Sequence, residues 1–261
     1  MIRRFYHWVI ATSLLAAAGA AEAPSRPEVA LLERAGQRVQ QFWDELSSVA
    51  CTENAIQEKF NEKGKLVLSS RSAYDYLMSL RWSGGELLID ESRLPINDAR
   101  KKPPEGALLA TRGFATLMLV LHPEFQPSYL FTILPDEESS GRKMARVSFV
   151  PRDGGRSPAV LELKGREYPI AWEGTAWMDA ASGTIERIQA HWKKPDEKIG
   201  LEMLASDVHY GPVTLRGKNY WLPDTAAIEV KTRHQHWRNS HQFTKYRLFS
   251  VEADDKVETK Q

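Results

Sequence analysis

The amino-acid sequence predicts an α+β protein. A long N-terminal helix is followed by a curved antiparallel β-sheet, a half-barrel, with a short apolar helix near its mouth. Apolar residues first recur at helical spacing and then, over most of the chain, at every second position. Turn-forming residues separate the alternating segments. Several of these segments exceed ten residues, which suits a strongly curved sheet better than a small sandwich.

The first 20 residues have the pattern of a secretory signal peptide. Arg3 and Arg4 precede the apolar run WVIATSLLAAAG, and small residues of the A-x-A type follow. This run is shorter than the roughly 20 residues that a spanning helix needs, so export is favoured over an uncleaved membrane anchor. We therefore expect the protein in the periplasm or the outer cell envelope, and not as an integral membrane protein after cleavage.

The charge and the cysteine content argue against several classes of protein. The 35 Lys and Arg residues against 34 Asp and Glu give +1, and without Arg3 and Arg4 the balance is 33 against 34, or −1. Such a near-neutral chain lacks the basic surface of a nucleic-acid-binding protein, so no nucleic acid partner is expected.

The single cysteine, Cys51, rules out an internal disulfide. We interpret it as a buried thiol and not a catalytic one, because no local motif supplies a histidine partner.

The first element is a helix predicted from Pro27 to about Val49. Its apolar residues lie three, four and seven positions apart, and a proline suits the first turn. From 66 to 82 the spacing changes to two, which predicts a long strand. SGG at 83–85 is then a turn, ELLIDE at 86–91 is a returning strand, and residues 95–106, rich in proline and charge, form an exposed loop.

The next element is a short buried helix over 114–121, an almost wholly apolar stretch that Pro123 ends. Beyond it, alternation and turn signals predict an antiparallel meander. Its strands are expected at about 128–135, 143–151, 158–163, 168–179, 184–193, 201–210, 219–233 and 241–251. The chain then divides into a signal peptide (1–20), a single half-barrel domain (21–252) and a polar tail (253–261), and 261 residues suffice for a sizeable core.

The stretch DAASGTIERIQAHW, residues 179–192, begins with an acid that could belong either to a cation site or to a turn. A cation loop needs several oxygen ligands at alternating positions, and Ala180 and Ala181 offer none. Asp179 can instead accept backbone amide hydrogens, and Gly183 can supply a positive φ. The sequence therefore predicts the corner of a hairpin.

Motifs of known chemistry are largely missing: there is no G-x-S-x-G, H-E-x-x-H, G-x-x-x-x-G-K-[ST] or CxxC. The strongest candidate is HQHWRNSH, which contains His234, His236 and His241. If Asn239 and Ser240 form a two-residue turn, the three imidazoles share one face of a hairpin and could hold zinc. No carboxylate partner is evident in the stretch, so we prefer solvated or stacked histidines and assign no metal and no catalytic residue.

Apolar and aromatic surface with few polar groups is the remaining feature. Core packing explains any one such stretch, but a long curved strand together with an apolar helix is also typical of a cleft for an apolar ligand. The candidate residues of such a cleft are Tyr74, Tyr76, Met78, Leu80, Trp82, Phe114, Leu117 and Leu121.

A family resemblance supports the second interpretation. TAWMDAASGTIERIQ, residues 175–189, together with the export signal, the N-terminal helix and the long meander, resembles the LolA/LolB-like periplasmic lipoprotein carriers over roughly 27–252. The stretches at 208–230 and 243–249 also resemble exported proteins of unknown function from acidobacteria. The family fold is an incomplete barrel whose concave face, covered by helices, accepts acyl chains.

The resemblance implies non-enzymatic binding or carriage of a lipid, an acyl chain or a lipidated protein in the cell envelope, without a cofactor. Two alternatives stay open. One is an envelope interaction or scaffold module whose interior is a filled core. The other, ranked third, is a metal-dependent hydrolase that uses the histidines of 234–241.

Overall fold

The computed structural model describes residues 27–45, 48–83, 86–96, 111–113, 115, 117–139, 141–163, 165–193 and 200–248. The predicted signal peptide, residues 97–106 of the predicted loop 95–106, Phe114 and the polar tail lie outside the described residues, so these predictions are not tested. Pro95, the first residue of the predicted loop, instead ends a strand. None of the helices in the described ranges is long and apolar enough to cross a membrane.

The described elements are one α-helix, two short 3₁₀ helices and two sets of strands. The helix α1 spans Pro27–Glu45, and the 3₁₀ helices span Leu117–Leu121 and Gln126–Ser128. The strands are β1 (Ser48–Phe60), β2 (Leu66–Ser83), β3 (Glu86–Pro95), β4 (Thr111–Arg112), β5 (Tyr129–Ser139), β6 (Arg142–Pro151), β7 (Val160–Leu163), β8 (Arg166–Pro169), β9 (Trp172–Asp179), β10 (Ile185–Trp192), β11 (Leu201–Leu215), β12 (Lys218–Thr232) and β13 (His236–Leu248).

Ten of the described strands form one antiparallel sheet in the order β3-β2-β1-β13-β12-β11-β10-β9-β6-β5. The last strand, β13, pairs with both β1 and β12, so the two ends of the domain meet inside the sheet. β3 and β5 form its two edges, and the sheet is therefore open and curved, not a closed barrel. The predicted fold class, an open antiparallel sheet with an N-terminal helix, is confirmed.

Alternating burial along the strands places the core on one face of the sheet, here called the covered face. In β11, for example, Val208 and Tyr210 are buried while His209 between them is exposed. The helix α1 and the first 3₁₀ helix cover this face. The five residues of that 3₁₀ helix, Leu117–Leu121, are all buried, and the Tyr210 hydroxyl accepts a hydrogen bond from the Met118 amide at 3.0 Å.

The helix ends earlier than its apolar spacing predicts. Val49 was expected on the helical face, but it lies in β1, where it pairs with Met78 of β2 and Leu248 of β13. The pairing with two strands outweighs the weak local preference of a β-branched residue for a helix.

A second, three-stranded sheet in the order β4-β7-β8, here called the lid sheet, lies opposite β3. Its existence corrects the prediction of a single strand over 168–179. The chain leaves β8 at Pro169 and enters β9 at Trp172, because β8 pairs with β7 whereas β9 pairs with β6 and β10. Proline has no amide hydrogen to donate to a ladder, which suits the end of a strand.

Candidate functional site

The acidic stretch at 179–184 is a hairpin corner, as predicted. The Asp179 carboxylate accepts hydrogen bonds from the Ala181 amide (3.1 Å) and the Ser182 amide (2.7 Å), and Gly183 has φ of +72°. Hydrogen bonds from Ser182 lower the pKa of Asp179. The corner also supports α1, since Arg34 donates a hydrogen bond to the Ala180 carbonyl at 2.9 Å.

The prediction of a histidine hairpin with its turn at 239–240 is wrong. β13 runs without a turn from His236 to Leu248, and Ser240 pairs with Ile56 of β1 and Ala227 of β12. Residues 239 and 240 are therefore held in mid-strand between two neighbours. As a result His236 and His241, an odd number of residues apart, point to opposite faces.

Each of these two histidines contacts a carboxylate on its own side of the sheet. His236 Nε2 lies 2.5 Å from Glu229 Oε1, and His241 Nδ1 lies 2.8 Å from Glu53 Oε1. His234 is exposed between β12 and β13. Among the residues that the structure describes, no group of three His, Cys, Asp or Glu side chains is arranged to hold a metal ion.

Four of the residues predicted for an apolar cleft lie within the core. Tyr76 and Met78 are 0% and 1% exposed, and Leu117 and Leu121 are both 0% exposed. Tyr74 is half-buried. The side chains of Leu80 and Trp82 lie outside the described part, as does Phe114, so the assignment of these eight residues to a ligand site remains a prediction.

Open space lies beside these residues, at the β3 edge of the sheet. A cavity of about 340 Å³, here called the edge cavity, separates β3 from the lid sheet. Its apolar wall consists of Leu87, Ile89, Phe125, Pro158 and Val160. Ile89 and Leu87 pair in register with Leu80 and Trp82 of β2, so the predicted cleft residues flank the cavity without lining its described wall.

Two of the charged groups at the rim of the edge cavity, Asp90 and Arg156, are paired with neighbouring side chains. Arg156 forms an ion pair with Glu124 and lies 5.5 Å from the centre of the Phe125 ring. Asp90 Oδ2 accepts a hydrogen bond from Arg81 Nε at 2.9 Å. An apolar wall with a paired, polar rim suits a ligand that has an apolar body.

A second space, the helix cavity, has a volume of about 240 Å³ and lies between α1 and the start of β12. Phe42 and Trp221 contribute to its apolar part. On its rim the Glu45 carboxylate accepts hydrogen bonds from Lys218 (3.1 Å) and Tyr220 (2.7 Å). Hydrogen bonds from Gln41, Tyr220 and Lys218 lower the pKa of Glu45 to about 2, so this carboxylate stays ionised.

A buried charged cluster lies on the covered face of β1, β3 and β13, and the sequence patterns did not indicate it. Arg93 donates hydrogen bonds to the two oxygens of Glu53 at 2.7 and 3.3 Å. Arg93 Nη1 lies 3.7 Å from Glu91 Oε2, and the Arg93 guanidinium lies 4.6 Å from the centre of the Tyr76 ring. His241, as described above, completes the cluster, in which the side chains of Glu53, Glu91 and His241 are 0% exposed.

Burial and pairing shift the pKa values of the two carboxylates of the charged cluster in opposite directions. Burial alone would raise the pKa of Glu53, but the hydrogen bond with His241 and the charge of Arg93 outweigh it, and the net pKa is lowered. For Glu91 burial prevails, and its pKa is raised. Nearby Cys51 is 0% exposed, which confirms the predicted buried thiol, and burial raises its pKa to about 12.

No family model and no curated protein matches the chain. Similar solved structures include a DUF1329 family protein from Desulfovibrio piger, with 11% identity and a TM-score of 0.45, covering 88% of this chain and 96% of that one. A putative outer membrane lipoprotein-sorting protein domain from Vibrio parahaemolyticus has 15% identity and a TM-score of 0.44, covering 86% and 94%. A LolA superfamily protein from Nitrosomonas europaea has 9% identity and a TM-score of 0.39, covering 86% and 97%.

Proposed function

We propose that this protein is a non-enzymatic binder of an acyl chain, carried by a lipid or a lipidated protein, and that the edge cavity is its binding site. The observation that carries the proposal is a cavity of about 340 Å³ with an apolar wall beneath a separate lid sheet. Ligand pockets typically measure about 300–1,000 Å³, so this volume lies at the lower end of the range. An acyl chain gains about 0.8 kcal/mol for each methylene group that it buries.

The position of the edge cavity favours a chain that enters from the side. β3 is an edge strand of the open sheet, and the lid sheet faces it across the cavity. A chain can therefore enter between the two sheets without disturbing the ladder of main-chain hydrogen bonds. The paired charges at the rim would keep a polar head group near water while the apolar part is buried.

The cellular location forms part of the proposal. An exported protein of this kind would bind its ligand in the periplasm or the outer cell envelope, and the pattern of the first 20 residues supports export. N-terminal sequencing of the protein from its native envelope tests this, with a mature chain expected to begin near Ala21 or Glu22. A retained Met1 would contradict export and favour a membrane anchor.

The second candidate is an envelope interaction module with a filled core. The buried 3₁₀ helix supports it, because Leu117, Leu119 and Leu121 are each 0% exposed and occupy the covered face. In that case the edge cavity would be a packing defect without a ligand.

Native mass spectrometry of the exported protein separates these two functions. An acyl binder is expected to carry a lipid mass that disappears on denaturation, and delipidated protein is expected to take up fatty acids from solution. Bare protein that takes up no fatty acid of any chain length would contradict acyl binding and leave the interaction module.

A further inference from the structure

Glu91 connects the edge strand to the lid sheet. Its side chain is 0% exposed, and its Oε1 atom accepts a hydrogen bond from the amide of Gly113 at 2.8 Å. Gly113 directly follows β4 and contributes to the wall of the edge cavity. The carboxylate of Glu91 is therefore a direct polar link between β3 and the lid sheet.

Gly113 is fixed on its other side as well. Its φ of +79° lies in the region that favours glycine, and a Cβ atom there would lie 2.6 Å from the Pro158 carbonyl oxygen. Pro158 also contributes to the cavity wall, just before β7. The main chain at 113 is thus enclosed between Glu91 and Pro158.

The neighbouring groups stabilise the charged form of Glu91 less than they stabilise that of Glu53, the other buried carboxylate. Arg93, on its own strand, donates two hydrogen bonds to Glu53 of β1, whereas its Nη1 atom lies 3.7 Å from Glu91 Oε2. His241 of β13 also contacts Glu53. From β2 the hydroxyl of Tyr76 faces Glu91, and its pKa is raised well above its ordinary value by burial.

Among the described residues, Cys51 of β1 is a further titratable group of this cluster, and burial raises its pKa to about 12, so it too is neutral. From the lid sheet the described contact is the amide of Gly113. The described contacts therefore set one guanidinium, that of Arg93, against the carboxylates of Glu53 and Glu91.

We propose that closure of the lid sheet over the edge cavity is coupled to uptake of a proton by Glu91, so that mild acid favours the closed cavity and a higher pH favours the open one. This regulation rests on the proposed function, because the lid sheet covers the cavity assigned to the acyl chain.

The direction follows from linkage. With the lid sheet closed, burial raises the pKa of Glu91 and outweighs the charge of Arg93 and the Gly113 hydrogen bond, both of which lower it. With the lid sheet open, water reaches the carboxyl group and its pKa returns toward about 4.3. The closed form therefore holds the proton more tightly, and the equilibrium constant for opening increases by up to about tenfold per pH unit between these two values. Above the raised pKa it reaches a plateau.

Hydrogen exchange at the amide of Gly113 tests the coupling on the ligand-free protein. Rates are measured from pH 4 to 8 and corrected for intrinsic exchange. We expect protection to decrease as the pH rises and then to level off. In Glu91→Gln, which has a neutral side chain of the same shape, protection should remain at the acid value throughout. Glu58→Gln, which changes a carboxylate on the outer face of β1, should reproduce the wild-type curve.

Each result decides the proposal. Constant protection in the wild-type protein would overturn it, and so would a pH dependence that persists in Glu91→Gln. If Glu91→Gln does not fold, the wild-type curve alone decides. Fatty-acid binding is measured separately with fluorescent dodecanoate. A wild-type protein that shows the expected pH dependence of exchange but does not bind dodecanoate would refute only the proposed function. A wild-type protein that binds dodecanoate but whose protection does not change with pH would refute only the coupling.

Discussion

Replacing Ile89 by Trp distinguishes a ligand cavity from an ordinary core. Ile89 is partly buried and lines the edge cavity, so the larger indole should extend into the space of about 340 Å³. We expect a loss of less than about 1 kcal/mol in the free energy of unfolding, or less than about 4 °C in Tm. The matched control is Met78→Trp on the neighbouring strand. Met78 is 1% exposed, and added bulk in a packed core typically costs about 1–3 kcal/mol.

Ile89→Trp should also differ from the wild-type protein in how its affinity depends on chain length. In the wild-type protein each added methylene group contributes about 0.8 kcal/mol, or about fourfold in Kd. Dodecanoate should therefore bind about 200-fold more tightly than octanoate, as long as the cavity accommodates the four extra groups. In Ile89→Trp the affinity should stop increasing at a shorter chain. Competition against a fluorescent fatty acid measures both series.

Two outcomes would refute this reasoning. If affinity in the wild-type protein does not depend on chain length, the site is not an apolar cavity. If Ile89→Trp leaves the whole series unchanged, the acyl chain binds somewhere other than the edge cavity, and the helix cavity becomes the next candidate.

Three further predictions concern the fold. Gly141→Ala should lower the free energy of unfolding in urea by roughly 1 kcal/mol through backbone strain, and Gly183→Ala should lower it by more. Both glycines have φ of +72°, but only at 183 would a Cβ atom lie 2.7 Å from a helix amide. Equal losses would contradict the close approach of α1. Arg93→Met should cost about 3–5 kcal/mol, since it leaves Glu53 charged and buried, and a loss below 1 kcal/mol in the same assay would show that the charged cluster is hydrated. Asp179→Asn should be less stable than the wild type above about pH 4 in thermal unfolding, and the difference should disappear as the pH falls through the lowered pKa of Asp179; a difference that persists in acid would show that the charge is unimportant.

The sequence predicted the parts of the fold that depend on local patterns. The period-two spacing of 66–82 corresponds to β2, and the turn at Asp179 follows from side-chain chemistry within five residues. Errors arose where pairing between distant strands decides the structure. Val49 continues the helical spacing but belongs to β1, and 168–179 alternates without interruption but is divided between two sheets.

The candidate site was harder to predict for the same reason. Glu53 and His241 are 188 residues apart in the chain yet lie 2.8 Å from each other, and no local pattern marks Glu53 or predicts this contact. HQHWRNSH suggested a turn because Asn and Ser favour turns, but two neighbouring strands hold this segment extended. The predicted apolar face includes Leu80 and Trp82, whose strand neighbours Ile89 and Leu87 line the edge cavity but were not singled out.

A crystal structure of the delipidated protein with dodecanoate tests the central claim most directly. The account predicts an acyl chain between β3 and the lid sheet, in contact with Leu87, Ile89 and Val160, with its carboxylate toward the rim. An acyl chain bound in the helix cavity would contradict the account. So would the absence of a complex, with the edge cavity empty.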